Sequence, residues 1–174
     1  MRTMLLILAC AALATAQETK GAPEAQAKAA EAKTAQRTND FSKAAELLAQ
    51  AIQLDPSFYD AHTQYVSSEQ QALTKLVPAS VQGEARDAAL KEARETASRK
   101  LLQVYAGWAE KYPANPVVQY MLGELYEYKD WGKTESYSRK ALEKVKEPAE
   151  YLANLEGLVK HMESVKIRFE KPVK

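Results

Sequence analysis

Cysteine is almost missing from this chain of 174 residues: Cys10 stands alone near the N-terminus, so the chain cannot staple itself with a disulfide, and its stability has to come from packing. Histidine is nearly as scarce. His62 and His161 lie far apart, with no cysteine or carboxylate at metal-ligand spacing, which argues against a zinc site. Glycine is sparse and never clusters, so no phosphate-cradling loop occurs; there is also no nucleophile elbow and no HExxH helix. Charge of one sign is lacking too. The chain has 24 Lys and Arg against 23 Asp and Glu, and loss of Arg2 with a cleaved leader would make the two signs equal. A field directed at nucleic acid or an anionic membrane is therefore not expected. These absences exclude the common catalytic and cofactor motifs and predict a chain that is not an enzyme and takes no cofactor.

The one sustained apolar run, Met4 to about Leu13, is too short to span a bilayer as a mature helix. With Arg2 before it and Ala14-Thr15-Ala16 after it, residues 1–16 have the form of a secretory signal peptide cleaved after Ala16, placing the protein in the periplasm or outside the cell. Two alternatives stay open. Leu8-Ala9-Cys10 resembles a bacterial lipoprotein processing site, which would put a lipid on Cys10, and the run could also persist as an uncleaved anchor. Residues 17–24 then read as a linker, and 25–165 as one helical domain.

The organising stretch is Pro113 to Trp131, PANPVVQYMLGELYEYKDW. Asn115 before Pro116 suits an N-cap followed by proline at the first helical position, where the missing N–H is no loss. From Pro116 to about Tyr128, large apolar residues recur at steps of three and four over more than half the circumference, so this helix is expected to be covered on two sides. Gly123 inside it marks a close approach by a neighbouring helix, and Trp131 should cover the closed end of a hairpin.

Leu122, Gly123 and Tyr126, with an aromatic at Trp131 and Ala141 further on, resemble the tetratricopeptide repeat, a unit of about 34 residues with two helices. A second match, Asn39 to Pro56 (NDFSKAAELLAQAIQLDP), is similar to the second helix of that repeat through Phe41, Ala44, Leu48, Ala51, Leu54 and the closing Pro56. The resemblance covers under half of the chain. It implies an all-α fold: a short right-handed α-solenoid of antiparallel helix pairs, with about 6–7 helices.

The other segments fit that frame with departures. Ala25 to Thr38 has strong helix propensity but no large apolar side chain, so it is either a weak first helix, with Ala32 and Ala35 at inner positions, or a solvated lead-in that frays. Phe58 to Leu73 follows as the next unit's first helix, with His62 packed in the core. Residues 74–83 read as an insertion or long turn around Pro78 and Gly83. Glu84 to Tyr112 should then form an unusually long helix of about 29 residues, roughly 43 Å at about 1.5 Å per residue. It either overhangs to dock a partner or packs on its own insertion. Lys133 to Lys146 and Pro148 to about Val165 are the last predicted helices, and 166–174 a tail. Glu124, Glu127 and Asp130 read as solvated carboxylates.

What the resemblance implies about binding is a concave groove lined by the first helices of each unit, holding an extended peptide or a partner helix. By position it would involve Lys33, Arg37, Thr63, Ser67, Gln70, Tyr120, Glu124 and Tyr128, with the two tyrosines as anchors. The carboxylate clamp of some family members is absent, because its positions hold Ala29, Lys33, Gln64, Val117 and Met121. The expected function is thus a non-catalytic protein-interaction or assembly module of the bacterial envelope. Two alternatives remain: a structural protein that self-associates through residues 84–112, and an accessory N-terminal region of an exported enzyme such as a redox protein.

Overall fold

A computed structural model describes residues 21–126 together with Ser136 and Lys140. Among the described residues all regular structure is helical; besides Ser136 and Lys140 it forms α1 (Pro23–Arg37), α2 (Phe41–Leu54), α3 (Tyr59–Thr74), α4 (Gly83–Lys111) and α5 (Pro116–Tyr126). The leader with Cys10, Tyr128, Trp131, the helix predicted from Pro148, His161, the tail and, apart from the helical residues Ser136 and Lys140, the helix predicted from Lys133 lie outside the described residues.

Local chemistry accounts for the boundaries. Pro23 begins α1, and the chain leaves it through Asn39, whose φ of 61° is a left-handed conformation that asparagine tolerates better than most residues. Asp40 caps α2, its carboxylate accepting the Lys43 backbone N–H at 3.1 Å. Asn115 does the same for α5, accepting from Val118 N–H at 3.1 Å, with Pro116 just inside. Gly83 opens α4 at φ +60°, where an L side chain would be strained.

The core is built from interlocking faces. α1 does form a packed helix, and it does so with alanine alone: Ala25, Ala29 and Ala32 are buried in one stripe. That smooth stripe can lie close against α2, whose Ala44, Leu48, Ala51 and Ile52 are all fully buried. Burying Leu48 and Ile52 contributes about 1.5–3 kcal/mol each. Asp55 at the end of α2 accepts the Ala22 backbone N–H at 2.9 Å, which sets the two helices antiparallel. Just before α1, Gly21 lies so close to Phe58 that an added Cβ would stand 2.5 Å from the Phe58 ring carbon Cγ, leaving no room for a side chain.

Each helix packs mainly on the next in sequence. α3 and α4 run antiparallel, since the start of α3 (His62) meets the end of α4 (Tyr105 and Trp108), while Glu69 meets Lys100. α4 has 29 residues and α3 has 16, so the first part of α4 extends past the end of α3. The buried residues of α4 are Ala97, Leu101 and Tyr105, all in its second half. Val117 to Gly123 of α5 are buried without interruption, as expected for a helix covered on more than one side.

Candidate functional site

The groove positions expected from the repeat register separate into two groups. Lys33 and Arg37 on α1 are exposed, as are Ser67 and Gln70 on α3, with Thr63 half-buried beside them. The structure brings these two helices together although α2 separates them in sequence: Gln36 Nε2 donates to Ser68 Oγ at 2.9 Å, and Lys75 Nζ donates to the Asn39 carbonyl at 2.8 Å. The Thr63 hydroxyl donates to the Asp60 carbonyl at 3.0 Å, and Ser67 Oγ accepts from Gln71 Nε2 at 3.0 Å, so both hydroxyls already serve their own helix.

Tyr120 behaves differently. It is 2 % exposed, its hydroxyl donates to the Glu124 carboxylate, and its ring centroid lies 6.0 Å from that of Tyr59 on α3. Burial, and then the Glu124 carboxylate, hold its phenol well above the usual range, so it stays neutral. The side chain placed by register as a groove anchor is a core residue that joins α3 to α5. The physical reason is visible in α5 itself, where apolar residues surround the helix and helical spacing alone cannot say which faces are covered. Tyr128, the second expected anchor, lies outside the described residues.

The polar contact that sequence reasoning did not foresee lies between α3 and α4. His62 is fully buried, as a core histidine should be, and both ring nitrogens are engaged. Nε2 is 3.0 Å from the Pro56 carbonyl and Nδ1 is 2.9 Å from the Tyr105 hydroxyl. A carbonyl can only accept, so Nε2 carries the proton; Nδ1 then accepts from Tyr105 O–H. Burial pushes His62 down to about 4, against the smaller opposing effects of the Pro56 hydrogen bond and of Asp55. Burial raises Tyr105 well above its ordinary range, with Tyr65 and Glu124 adding to the effect. Both partners are therefore neutral near pH 7, and neither is placed to exchange a proton there.

Tyr65 and Trp108 complete this aromatic contact. Trp108 meets Tyr105 edge-on with centroids 4.9 Å apart, and Tyr65 lies 5.3 Å from Trp108. Such pairs add about 0.5–1.5 kcal/mol each beyond their buried area. One turn along α3, Glu69 is held by Lys100 Nζ through both carboxylate oxygens at 2.8 and 2.7 Å. The available signal was the spacing His62–Tyr65–Glu69 on one helix and Leu101–Tyr105–Trp108 on the other, two faces at helical steps whose pairing a linear reading does not supply. The arrangement ties α3 to α4.

Among the described residues no group of three or more His, Cys, Asp or Glu side chains could hold a metal ion. No described helix is long and apolar enough to cross a membrane. Comparison of the chain with protein-family models, with curated proteins and with solved structures gave no match.

Proposed function

We propose that this chain is a non-catalytic, tetratricopeptide-like helical-repeat module of the bacterial envelope, exported by its leader, that binds a peptide or partner helix along the edge where α1 and α3 lie side by side. The supporting observation is the contact between alternate helices. Gln36 of α1 reaches Ser68 of α3, Tyr59 of α3 meets Tyr120 of α5, and Asn115 before α5 donates to Ser57 Oγ before α3 at 3.0 Å. Helix pairs that stack side by side bring the first helix of each pair next to the first helix of the following pair, which is how a solenoid makes an extended binding edge. With Tyr120 in the core, the groove on this reading depends on Lys33, Arg37, Thr63, Ser67 and Gln70, a polar set suited to pairing with peptide backbone.

A photo-crosslinking amino acid placed at Arg37 or Ser67, compared with one at Gln50 or Gln53 on the exposed side of α2, tests this in the envelope of the producing cell. Adducts to a discrete partner from Arg37 and Ser67 alone are the expected result. Equal adducts from all four positions, or none from any, would overturn the reading.

A further inference from the structure

Where α4 extends past α3 it does not project into empty solvent. Its inner face encloses a cleft of about 720 Å³, together with the turn between α1 and α2 and the last turn of α3. Three cations line this cleft, Lys75, Arg86 and Arg94, and no acidic side chain does. In a chain whose charges nearly balance, that segregation gives the cleft a local positive potential. Asp40 is adjacent in sequence, but its carboxylate is turned to the N-terminus of α2, where it serves as the cap.

Two of the three cations are held in place before any ligand arrives. Lys75 donates to the Asn39 carbonyl at 2.8 Å and its ammonium lies 5.5 Å from the centre of the Phe41 ring. Arg86 donates to the Pro78 and Val81 carbonyls of the preceding loop at 3.2 and 3.4 Å, which also ties α4 to that loop. These bonds use some of the donors and leave others for a ligand, because an ammonium has three and a guanidinium five. Arg94 lies eight residues beyond Arg86 on the same side of α4 and is exposed. Side chains ordered in advance lose less entropy on binding.

The remaining lining indicates what kind of anion fits. Gln70 and Gln71 offer amides, Ser98 a hydroxyl, and Phe41 and Leu90 apolar surface. A small inorganic anion would use the cations and leave the rest unengaged. A peptide would use all of it, with carboxylates on the cations and backbone groups on the amides. We infer that this cleft is a binding site for an acidic peptide segment, entered from the groove through Gln70, which is both a groove position and part of the cleft lining. The inference rests on the proposed function for the partner being a polypeptide, and it adds the partner's charge and a second point of attachment.

The test is a titration of the purified protein with a fluorescein-labelled oligoglutamate peptide, an oligolysine peptide and inorganic phosphate serving as comparison and competitor. Saturable oligoglutamate binding that weakens as salt is added is expected, with no binding of oligolysine and no displacement by phosphate at matching concentration. Arg94→Glu should weaken binding at least about tenfold, whereas Lys111→Glu, exposed at the far end of α4 and outside both the groove and the cleft, should change it by no more than about twofold. Arg94→Gln, which removes the charge without reversing it, should fall between them and guards against misfolding of the reversal variant. Failure of the wild type to bind oligoglutamate overturns the inference, as does a loss in Lys111→Glu that Arg94→Glu does not share. Displacement by phosphate would make the cleft a simple anion site and overturn the peptide assignment. If Arg37 and Ser67 give no crosslinks while binding still depends on Arg94, the groove reading fails and the cleft survives; crosslinks without Arg94 dependence mean the reverse.

Discussion

The two halves of α4 have the same backbone and nearly opposite surroundings. The second half buries Ala97, Leu101 and Tyr105 against α3 and forms the aromatic contact with His62 and Tyr65. The first half buries none of its side chains and contributes Arg86, Leu90 and Arg94 to an open, positively charged cleft. A single helix is thus anchored at one end by packing and employed at the other as a wall. Rigidity comes from the anchored half, because an isolated helix of this composition has little tertiary reason to persist.

The sharpest way to break the comparison is Tyr105→Ala. Removing a fully buried ring and leaving His62 Nδ1 without its donor should cost about 3–5 kcal/mol in urea unfolding, and a loss below about 1 kcal/mol would show that the anchored half is not anchored there.

Next in size is a pH effect confined to the same half. The folded protein holds His62 at about 4, below its ordinary value of 6.5, so the unfolded chain binds the proton more readily between those values. Stability from this group is fully present above pH 6.5 and is lost as pH falls toward 4. Between pH 6.5 and 5 the loss should be about 1.5 kcal/mol in the wild type and absent in His62→Phe. An identical slope in both proteins would assign the effect to other groups.

Smaller still is the contrast between two ion pairs. Lys100→Ala leaves Glu69, whose side chain is 8 % exposed, without its counterion and should cost about 1 kcal/mol. Arg99→Ala breaks a pair with Glu95 at 4.0 Å in which both partners are over half exposed, and should cost about 0.3 kcal/mol or less. Equal losses in thermal unfolding would remove the distinction. Smallest among the apolar changes, Leu90→Ala in the overhanging half should stay within about 0.5 kcal/mol, where a buried leucine would cost several times as much.

Much of the helical framework was legible from residues alone. α2 spans Phe41–Leu54, inside the segment Asn39 to Pro56 read from the repeat resemblance, and Asp40 caps it. The continuous long helix was legible because residues 84–112 hold no proline and keep apolar steps of three and four. Of its two expected roles, contact with its own insertion is seen at Arg86 with Pro78 and Val81. Less was legible about faces. α4 is rich in alanine and charge, so its pattern does not distinguish a buried half from an exposed one, and α5 is apolar on so many sides that Tyr120 could be assigned to a groove when it is in the core.

The division follows the range of the forces. Helix extent, proline entry and side-chain caps depend on hydrogen bonds between residues a few positions apart, so the sequence by itself determined where these helices start and stop. The pairing of His62 with Tyr105, the burial of Tyr120 and the gathering of Lys75, Arg86 and Arg94 depend on how helices cross after the chain has reversed. Only the tertiary structure decided those, because packing selects among faces that local propensity leaves equivalent.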